Sequence, residues 1–120
     1  MIGIQLVSRI KADVNVSNRV YTLQAPQKVK LPYIVVQQIA NVRDYTHQRY
    51  SGLQATTYRI GIYSESLAQA KTLGGELKTS LDNWTSANVS SAMQSAENEL
   101  FEADTKYYHL VIDYIIRWRE

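Results

Sequence analysis

The segment that most constrains this fold is the stretch of residues 106–119. Its even-numbered positions from 108 onward are all apolar or aromatic: Tyr108, Leu110, Ile112, Tyr114, Ile116 and Trp118. Alternation with a period of two over this length predicts a long β-strand that buries one whole face. The other face mixes apolar side chains with charge: Tyr107, His109, Val111, Asp113, Ile115, Arg117 and Arg119. A face of this mixed kind is typical of a contact surface, so we predict that it touches another surface.

Composition predicts one globular domain spanning residues 1–120. The chain has 120 residues, of which 45% are hydrophobic and 20% charged, so it can bury a core of its own. Its formal net charge of +2 gives no general attraction for nucleic acid. The absence of cysteine excludes disulfides, thiol catalysis and thiolate metal sites. No apolar run approaches the roughly 20 residues of a membrane span, and the start of the sequence lacks the basic leader of a signal peptide.

Hydrophobic periodicity and turn residues predict an α+β fold. In order, the predicted elements are a helix over 2–13, a short strand over 19–23, strands over 33–40 and 53–63, a helix from Ser66, a weak strand over 93–103 and the final strand. Residues 41–52 are predicted to be a polar connection, which gives the hairpin a long tip. Residues 82–91 are predicted to be a loop that returns Trp84 to the core. This order indicates a mostly antiparallel, or mixed, sheet of four to five strands with both helices packed on it.

The second helix carries a packing signal. Ser66 is a suitable N-cap, and the predicted buried stripe is Leu67, Ala70, Gly74, Leu77 and Leu81. The adjacent glycines Gly74 and Gly75 each cost the helix about 1 kcal/mol relative to alanine. We therefore predict that they let the helix approach the sheet closely, with a hinge as the alternative.

Catalytic and metal-binding patterns are sparse, and we predict no enzyme activity, no metal and no cofactor. His47 and His109 have no partner at ligand spacing, and the sequence has no nucleophile elbow, P-loop or dinucleotide fingerprint. Acidic residues cluster late in the chain: Glu97, Glu99, Glu102 and Asp104. Glu97 and Glu99 share a strand face, where repulsion would raise one pKa and permit acid–base chemistry. A strand edge that is charged to resist aggregation predicts the same residues and is the favoured interpretation.

The connection over 41–52 combines cationic and aromatic side chains, namely Arg43, Tyr45, His47, Arg49 and Tyr50. This mixture is typical of a platform on which single-stranded nucleic acid stacks. It is equally typical of a protein–protein hot spot, and a solvated loop explains it as well. Because the chain is nearly neutral, protein contact is favoured over nucleic acid.

Several segments, taken in order, resemble the tail terminator, or tail completion, proteins of long-tailed bacteriophages. The first is Leu31-Pro32-Tyr33-Ile34-Val35-Val36-Gln37, which opens a strand, followed by a polar tip that ends in Ser51-Gly52-Leu53. The strand Tyr58-Arg-Ile-Gly-Ile-Tyr63 then leads directly into the helix that begins at Ser66. The acidic strand Glu99-Leu-Phe-Glu102 and the long strand ending in Trp118 resemble the family's closing hairpin. The resemblance covers nearly the whole chain, and it rests on order and spacing because each pattern alone is short.

The resemblance implies a virion protein, assembled in the host cytoplasm, that forms a ring of six copies on the head-proximal end of the tail tube. The ring would stop tube polymerisation and join the tail to the head connector. Its implied partners are the tail tube protein and a head-completion protein, while genomic DNA passes through without specific binding. No cofactor or membrane is implied.

Three hypotheses on residues follow from the resemblance and the sequence together. The tip over 41–52 contacts the adjacent ring. Tyr107, Val111 and Ile115 lie at a subunit boundary or under a helix. The acidic cluster over 97–104 lines the channel, where it lets DNA slide by repulsion.

Other interpretations remain open. One is another head–tail connector component, a stopper or an adaptor, which shares the size and interface physics of a terminator. A second is a small α+β module that binds nucleic acid or a ligand through the tip, which salt-dependent oligonucleotide binding would reveal. An enzyme using Glu97 and Glu99 is the third, and it needs a pocket flanked by those carboxylates.

Overall fold

The described residues of the chain fold into two helices and a five-stranded sheet, which confirms the α+β prediction. The computed structural model describes residues 2–14, 16, 19–23, 30–46, 49–82, 84–102 and 107–119. Its elements, in chain order, are α1 (Ile2–Asp13), β1 (Val20–Thr22), β2 (Tyr33–Thr46), β3 (Arg49–Ser64), α2 (Leu67–Asp82), β4 (Val89–Glu102) and β5 (Tyr107–Arg119). The molecule is elongated, with principal extents of 51 × 24 × 23 Å.

The sheet has the strand order β1-β2-β3-β5-β4. The short β1 pairs in parallel with the start of β2, and the other three pairings are antiparallel. The central pair β3–β5 runs from Leu53↔Arg119 to Ser64↔Tyr108 without a register shift. The register shifts lie in the two flanking pairings, with an extra residue on β2 at Gln38/Ala40 and on β4 at Val89/Ser91 and Gln94/Ala96. At the Arg43/Tyr45 shift, three residues of β3 (51–53) lie opposite Asp44. The middle of the sheet is therefore regular, while its outer strands are bulged.

Both helices pack on one face of the sheet. Helix α1 buries Ile2, Leu6 and Ile10, as the four-residue spacing predicts. The alternating side chains of β5 that face the helices are buried from Leu110 to Trp118. Tyr108, predicted to be buried with them, is only half-buried because it lies at the end of the strand beyond the helices. The remaining face of the sheet is covered by neither helix.

Polar contacts join α2 to the sheet and to α1. The Tyr114 hydroxyl donates to Asp82 Oδ1 at 3.0 Å, and burial is the main cause that raises the pKa of this phenol. Arg9 donates from Nε and Nη2 to the carbonyl of Ser80 at 3.1 and 2.8 Å, and its guanidinium lies 5.6 Å from the centre of the Trp84 ring. Trp84 is 5% exposed, which confirms that its loop returns it to the core.

Helix α2 begins as predicted but buries a different first residue. The Ser66 hydroxyl caps it by accepting a hydrogen bond from the backbone N–H of Gln69 at 3.1 Å. Leu67 is exposed rather than buried, because the first turn extends beyond the sheet. The stripe that packs on the sheet is Ala70, Leu73, Gly74, Leu77, Ser80 and Leu81.

The two glycines of α2 differ sharply in their surroundings. A Cβ on Gly74 would lie 2.7 Å from Cδ2 of Leu110 and 3.5 Å from Cδ1 of Ile112, whereas a Cβ on Gly75 would meet nothing within 4 Å. Gly74 therefore sets the helix-to-sheet distance, which confirms the packing interpretation for this position.

This difference predicts opposite effects for two matched substitutions. Gly75→Ala should raise the free energy of unfolding by about 0.5–1 kcal/mol through helix propensity alone. Gly74→Ala gains the same propensity but overpacks a core whose Leu110 is 1% exposed, a fault that typically costs about 1–3 kcal/mol. Urea unfolding of both variants checks the order. Equal stabilisation would show that Leu110 moves aside freely.

The prediction of a polar connection over 41–52 is wrong. Strand β2 continues to Thr46 and β3 starts at Arg49, with Asn41↔Thr56 and Tyr45↔Tyr50 in register. The antiparallel ladder holds the arms as strands even though their sequence is polar. The long hairpin tip is confirmed, but it is built of paired strands, and residues 47–48 lie outside the described part of the chain.

Candidate interface surfaces

The hairpin arms present exposed side chains at one end of the molecule. Tyr45 is 58% exposed and Val42 65%, and Arg43 and Arg49 are exposed as well. Gly52, at a φ of 92°, takes a left-handed conformation that favours glycine, and the Ser51 hydroxyl donates to Asp44 Oδ2 at 2.9 Å across the arms. Of the predicted tip residues, His47 lies outside the described residues, as does the side chain of Tyr50.

A chain of hydrogen bonds joins the base of the hairpin to the core. The Trp118 indole N–H donates to Thr56 Oγ1 at 2.9 Å, and the Thr56 hydroxyl in turn donates to Asn41 Oδ1. Asn41 Nδ2 donates to Gln54 Oε1 at 2.8 Å. Thr56 is 1% exposed and Trp118 8%, so their hydrogen bond lies away from solvent, whereas Asn41 forms the exposed end of the network. Sequence analysis missed this network because its members are far apart in the chain.

A cavity of about 560 Å³ adjoins this network on the helix side of the sheet. Its lining is uncharged, and it consists of Ile2, Gln38, Asn41, Gln54, Thr56, Tyr58, Asn88 and Trp118. Its carboxamides, hydroxyls and aromatic rings can hold neutral hydrogen-bonding groups there.

The face of the sheet away from the helices carries the predicted contact residues of β5. Val111 is 7% exposed, Asp113 is 8% exposed, and Tyr107 and Ile115 are half-buried. Arg59 on β3 neutralises Asp113 through a fork of two hydrogen bonds, of 3.1 and 3.3 Å. The structure thus brings Val111 and Ile115 together around a cross-strand ion pair, on a face that neither helix covers.

Stacked rings cross one end of this uncovered face. The ring centres of Tyr33 and Tyr63 are 4.7 Å apart, and those of Tyr63 and His109 are 4.0 Å apart with nearly parallel planes. Gly61 makes room for the imidazole, since a Cβ there would lie 2.6 Å from Nε2 of His109. The histidine of the final strand is therefore part of an aromatic row, not an isolated ligand.

The acidic cluster lies partly on the helix side, where lysines of α2 meet it. Lys78 pairs with Glu97, and Lys71 pairs with Glu99 and lies 3.7 Å from Glu97. The hydrogen bond from Lys78 is the main cause that lowers the pKa of Glu97, and burial opposes it. The expectation that repulsion raises one of these pKa values is therefore wrong for Glu97, because the lysines outweigh the neighbouring carboxylate. Asp104 and the side chain of Glu102 lie outside the described residues.

A lowered pKa makes this cluster a source of acid sensitivity. Because the pKa of Glu97 is lower in the folded chain, its contribution to stability is present above its ordinary value of 4.5 and is lost as pH falls through the folded value. We expect Glu97→Gln to flatten the fall in stability below pH 4.5, as followed by thermal unfolding at several pH values. Glu65→Gln, at an exposed position outside the cluster, is the control. If the stability of Glu97→Gln falls with pH in the same way as that of the wild type, the ion pairs of Glu97 do not cause the acid sensitivity.

Within the described residues, no group of three or more histidine, aspartate or glutamate side chains is arranged to hold a metal ion. Neither helix among those residues combines the length and the apolar composition needed to cross a membrane.

Comparison with known proteins identifies the fold and the family. A chain of a solved structure titled "Virion of native gene transfer agent (GTA) particle" is similar at a TM-score of 0.71 and 13% identity, over 96% of this chain and 92% of that chain. At that identity the likeness shows the fold alone. A search of the curated proteins gives no match. The family model described as "Tail completion protein gp17" matches residues 4–119, so this chain belongs to the tail completion protein gp17 family.

Proposed function

We propose that this protein closes a ring of six copies on the head-proximal end of a phage tail tube, stops tube polymerisation there and joins the tail to the head connector. The observation that carries the proposal is the family match over residues 4–119. The role has no catalytic step, since the ring acts through the shape of its two faces. Heterologous contacts between copies, repeated around an axis, produce a closed ring of this kind.

The projecting hairpin is the part of the chain that we assign to the neighbouring ring. Its arms run past the end of β5, which stops at the level of Leu53, and they expose Tyr45 beyond that point and Arg43 just before it. Tyrosine and arginine supply a large share of binding energy at protein interfaces. A rigid two-stranded arm presents these side chains at less entropic cost than a loop does. We include His47, Arg49 and Tyr50 in the same surface.

We assign Tyr107, Val111 and Ile115 to the boundary between copies. They lie on the uncovered face of β5, directly beside the outermost strand β4. A neighbouring copy that packs along β4 would therefore lie one strand away from these three side chains.

The boundary assignment predicts the effect of one charge. Ile115→Glu should lower the yield of joined particles at least several-fold, because the boundary would have to bury an unpaired carboxylate. Ile4→Glu makes the same substitution on α1, on the opposite side of the sheet, where Ile4 is 66% exposed. Complementation with both variants, scored by electron microscopy, compares them. Equal yields would place the boundary elsewhere.

The prediction that acidic side chains line the channel stays a prediction. Glu99 is half-exposed and Glu97 less so, and lysines of α2 engage both. Their charge toward passing DNA is reduced by these ion pairs.

Electron microscopy of particles from a producer whose gene carries an early stop codon tests the proposed function. Unattached tails of irregular, excessive length beside filled heads are expected. Tails of normal length beside leaking heads would instead indicate the stopper class. Intact particles would contradict a role in tail completion.

A further inference from the structure

The two outer strands of the sheet leave matching stretches of backbone without a partner strand. We call Ala40–Arg43 of β2 the β2 window and Ser91–Gln94 of β4 the β4 window. Strand β1 pairs only with residues 34–36 of β2, and β4 pairs on its inner side with β5. Among the described residues, nothing pairs with the outer edge of either window.

Each window is bounded by register shifts. The β2 window lies between the shifts at Gln38/Ala40 and Arg43/Tyr45, and the β4 window lies between those at Val89/Ser91 and Gln94/Ala96. At the β4 shifts, the hydroxyls of Ser90 and Ser95 donate to carbonyls of β5 at 3.0 and 3.3 Å. The serines therefore hold the bulges in place, and the regular edge between them is short. A short edge resists open-ended aggregation.

The windows lie at the same height across the sheet. The unbroken ladder connects Ala40 through Thr57 and Ile115 to Met93, and the next rows connect Asn41 to Ala92 and Val42 to Ser91. Strands β2 and β4 also run in opposite directions, since three antiparallel pairings separate them. Copies related by rotation about an axis along the strands would thus bring the two windows together as an antiparallel pair.

The side chains of the windows suit such a pairing. Of their eight residues only Arg43 is charged, whereas β4 beyond its window carries Glu97, Glu99 and Glu102. Val42 and Met93 are 65% and 56% exposed, so each window presents an apolar side chain to solvent in the isolated chain. Natural sheets protect free edges with charge and bulges, and apart from Arg43 these windows carry no charge and lie between the bulges.

We infer that the β4 window of one copy pairs with the β2 window of the next copy, so that the sheet continues from subunit to subunit around the ring. The inference rests on the proposed ring and names its contact. The second copy is the occupant because one chain supplies both halves, at matching height and in opposite directions. The register shift at Ser95 ends the β4 window before the level at which β1 occupies the outer edge of β2.

Engineered disulfides test this contact cleanly, since the sequence has no cysteine. In a single chain the windows are three strand spacings apart, about 14 Å, which is too far for a disulfide to form within one copy. Val42→Cys combined with Ser91→Cys should give, in oxidised particles, a ladder of covalent oligomers on a non-reducing gel. The single variants should remain monomeric. Val42→Cys combined with Leu100→Cys should give no ladder, because Leu100 is 53% exposed but lies outside the β4 window.

The outcomes separate this contact from the ring itself. Joined particles whose Val42→Cys/Ser91→Cys protein stays monomeric on oxidation would overturn the edge pairing and leave the ring standing. Dimers from a single variant would also overturn it, in favour of a two-fold contact. If this pair does not complement, Ala40→Cys/Met93→Cys probes the row two residues further along, on the same face of the sheet. If the stop-codon producer makes intact particles, the proposed function fails. Oxidation of the purified Val42→Cys/Ser91→Cys protein then still tests the contact: a ladder of covalent oligomers would support it, and monomers would overturn it.

Discussion

Replacing Arg43, Tyr45 and Tyr50 with alanine is expected to leave a folded protein that no longer joins tails to heads. Arg43 and Tyr45 are exposed on the β2 arm, and Tyr50 is the register partner of Tyr45. Removing exposed side chains changes stability by only about 0.5 kcal/mol in typical cases, whereas losing aromatic and arginine anchors at an interface costs about 2 kcal/mol or more each. We therefore expect the yield of joined particles to fall below a tenth of the wild-type yield, with melting temperature nearly unchanged.

The matched control is a variant with comparable truncations on α1. Ile4→Ala combined with Lys11→Ala removes an exposed apolar and an exposed cationic side chain far from the hairpin in the sequence. Complementation of the stop-codon producer, scored by electron microscopy, measures both variants, and circular dichroism measures their folding. An unfolded triple variant would show that the arm residues stabilise the fold. Joined particles at the wild-type yield would move the tube contact to another surface.

Strong local periodicity made most elements of the fold predictable. Helix α1 and strand β5 repeat at 3.6 and 2.0 residues, and each buries the side that its period predicts, although β5 also buries Val111 and Asp113 on its other side. The order of these elements also carried the resemblance to tail completion proteins, which the family match over residues 4–119 confirms. The chain accordingly belongs among the tail completion proteins.

The hairpin arms were not predictable from local pattern, because residues such as Asn41, Arg43 and Asp44 are polar on both faces of the strand. An arm that extends past the core needs no apolar face, so the signal that marks an ordinary strand is absent. Backbone pairing with β3 and the anchoring bonds of Asn41 hold it instead. Such pairing depends on residues that are distant along the chain, so the β-propensity of the local sequence does not predict it.

The acidic cluster shows the same limit for charge. Spacing placed Glu97 and Glu99 on one face, and the lysine partnerships show that this placement is right. The sequence could not indicate that α2 brings Lys71 and Lys78 onto the same face, and this long-range contact reverses the predicted direction of the pKa of Glu97.

Thr56→Val is expected to destabilise the protein more than its small change in shape suggests. Valine keeps the volume and the β-branch of threonine, but it removes the acceptor of the Trp118 indole N–H and the donor to Asn41. Thr56 is 1% exposed and Trp118 8%, so the indole N–H would remain buried without a partner, which costs about 1–3 kcal/mol. The free energy of unfolding from urea titration should fall by that amount, and Asn41 would lose one of its two anchors at the base of the hairpin.

The adjacent residue supplies the control, since Thr57 lies on the opposite face of the same strand. Thr57 is half-buried and makes no side-chain hydrogen bond among the described residues. Thr57→Val makes the same chemical change at the next position of the same strand. We expect it to shift the free energy of unfolding by no more than about 0.5 kcal/mol. If Thr56→Val lowers the free energy of unfolding no more than Thr57→Val does, a water molecule accepts the hydrogen bond of the Trp118 indole in place of Thr56. A selective loss in Thr56→Val would establish that the buried hydrogen bonds, rather than β-propensity, fix the hairpin to the core.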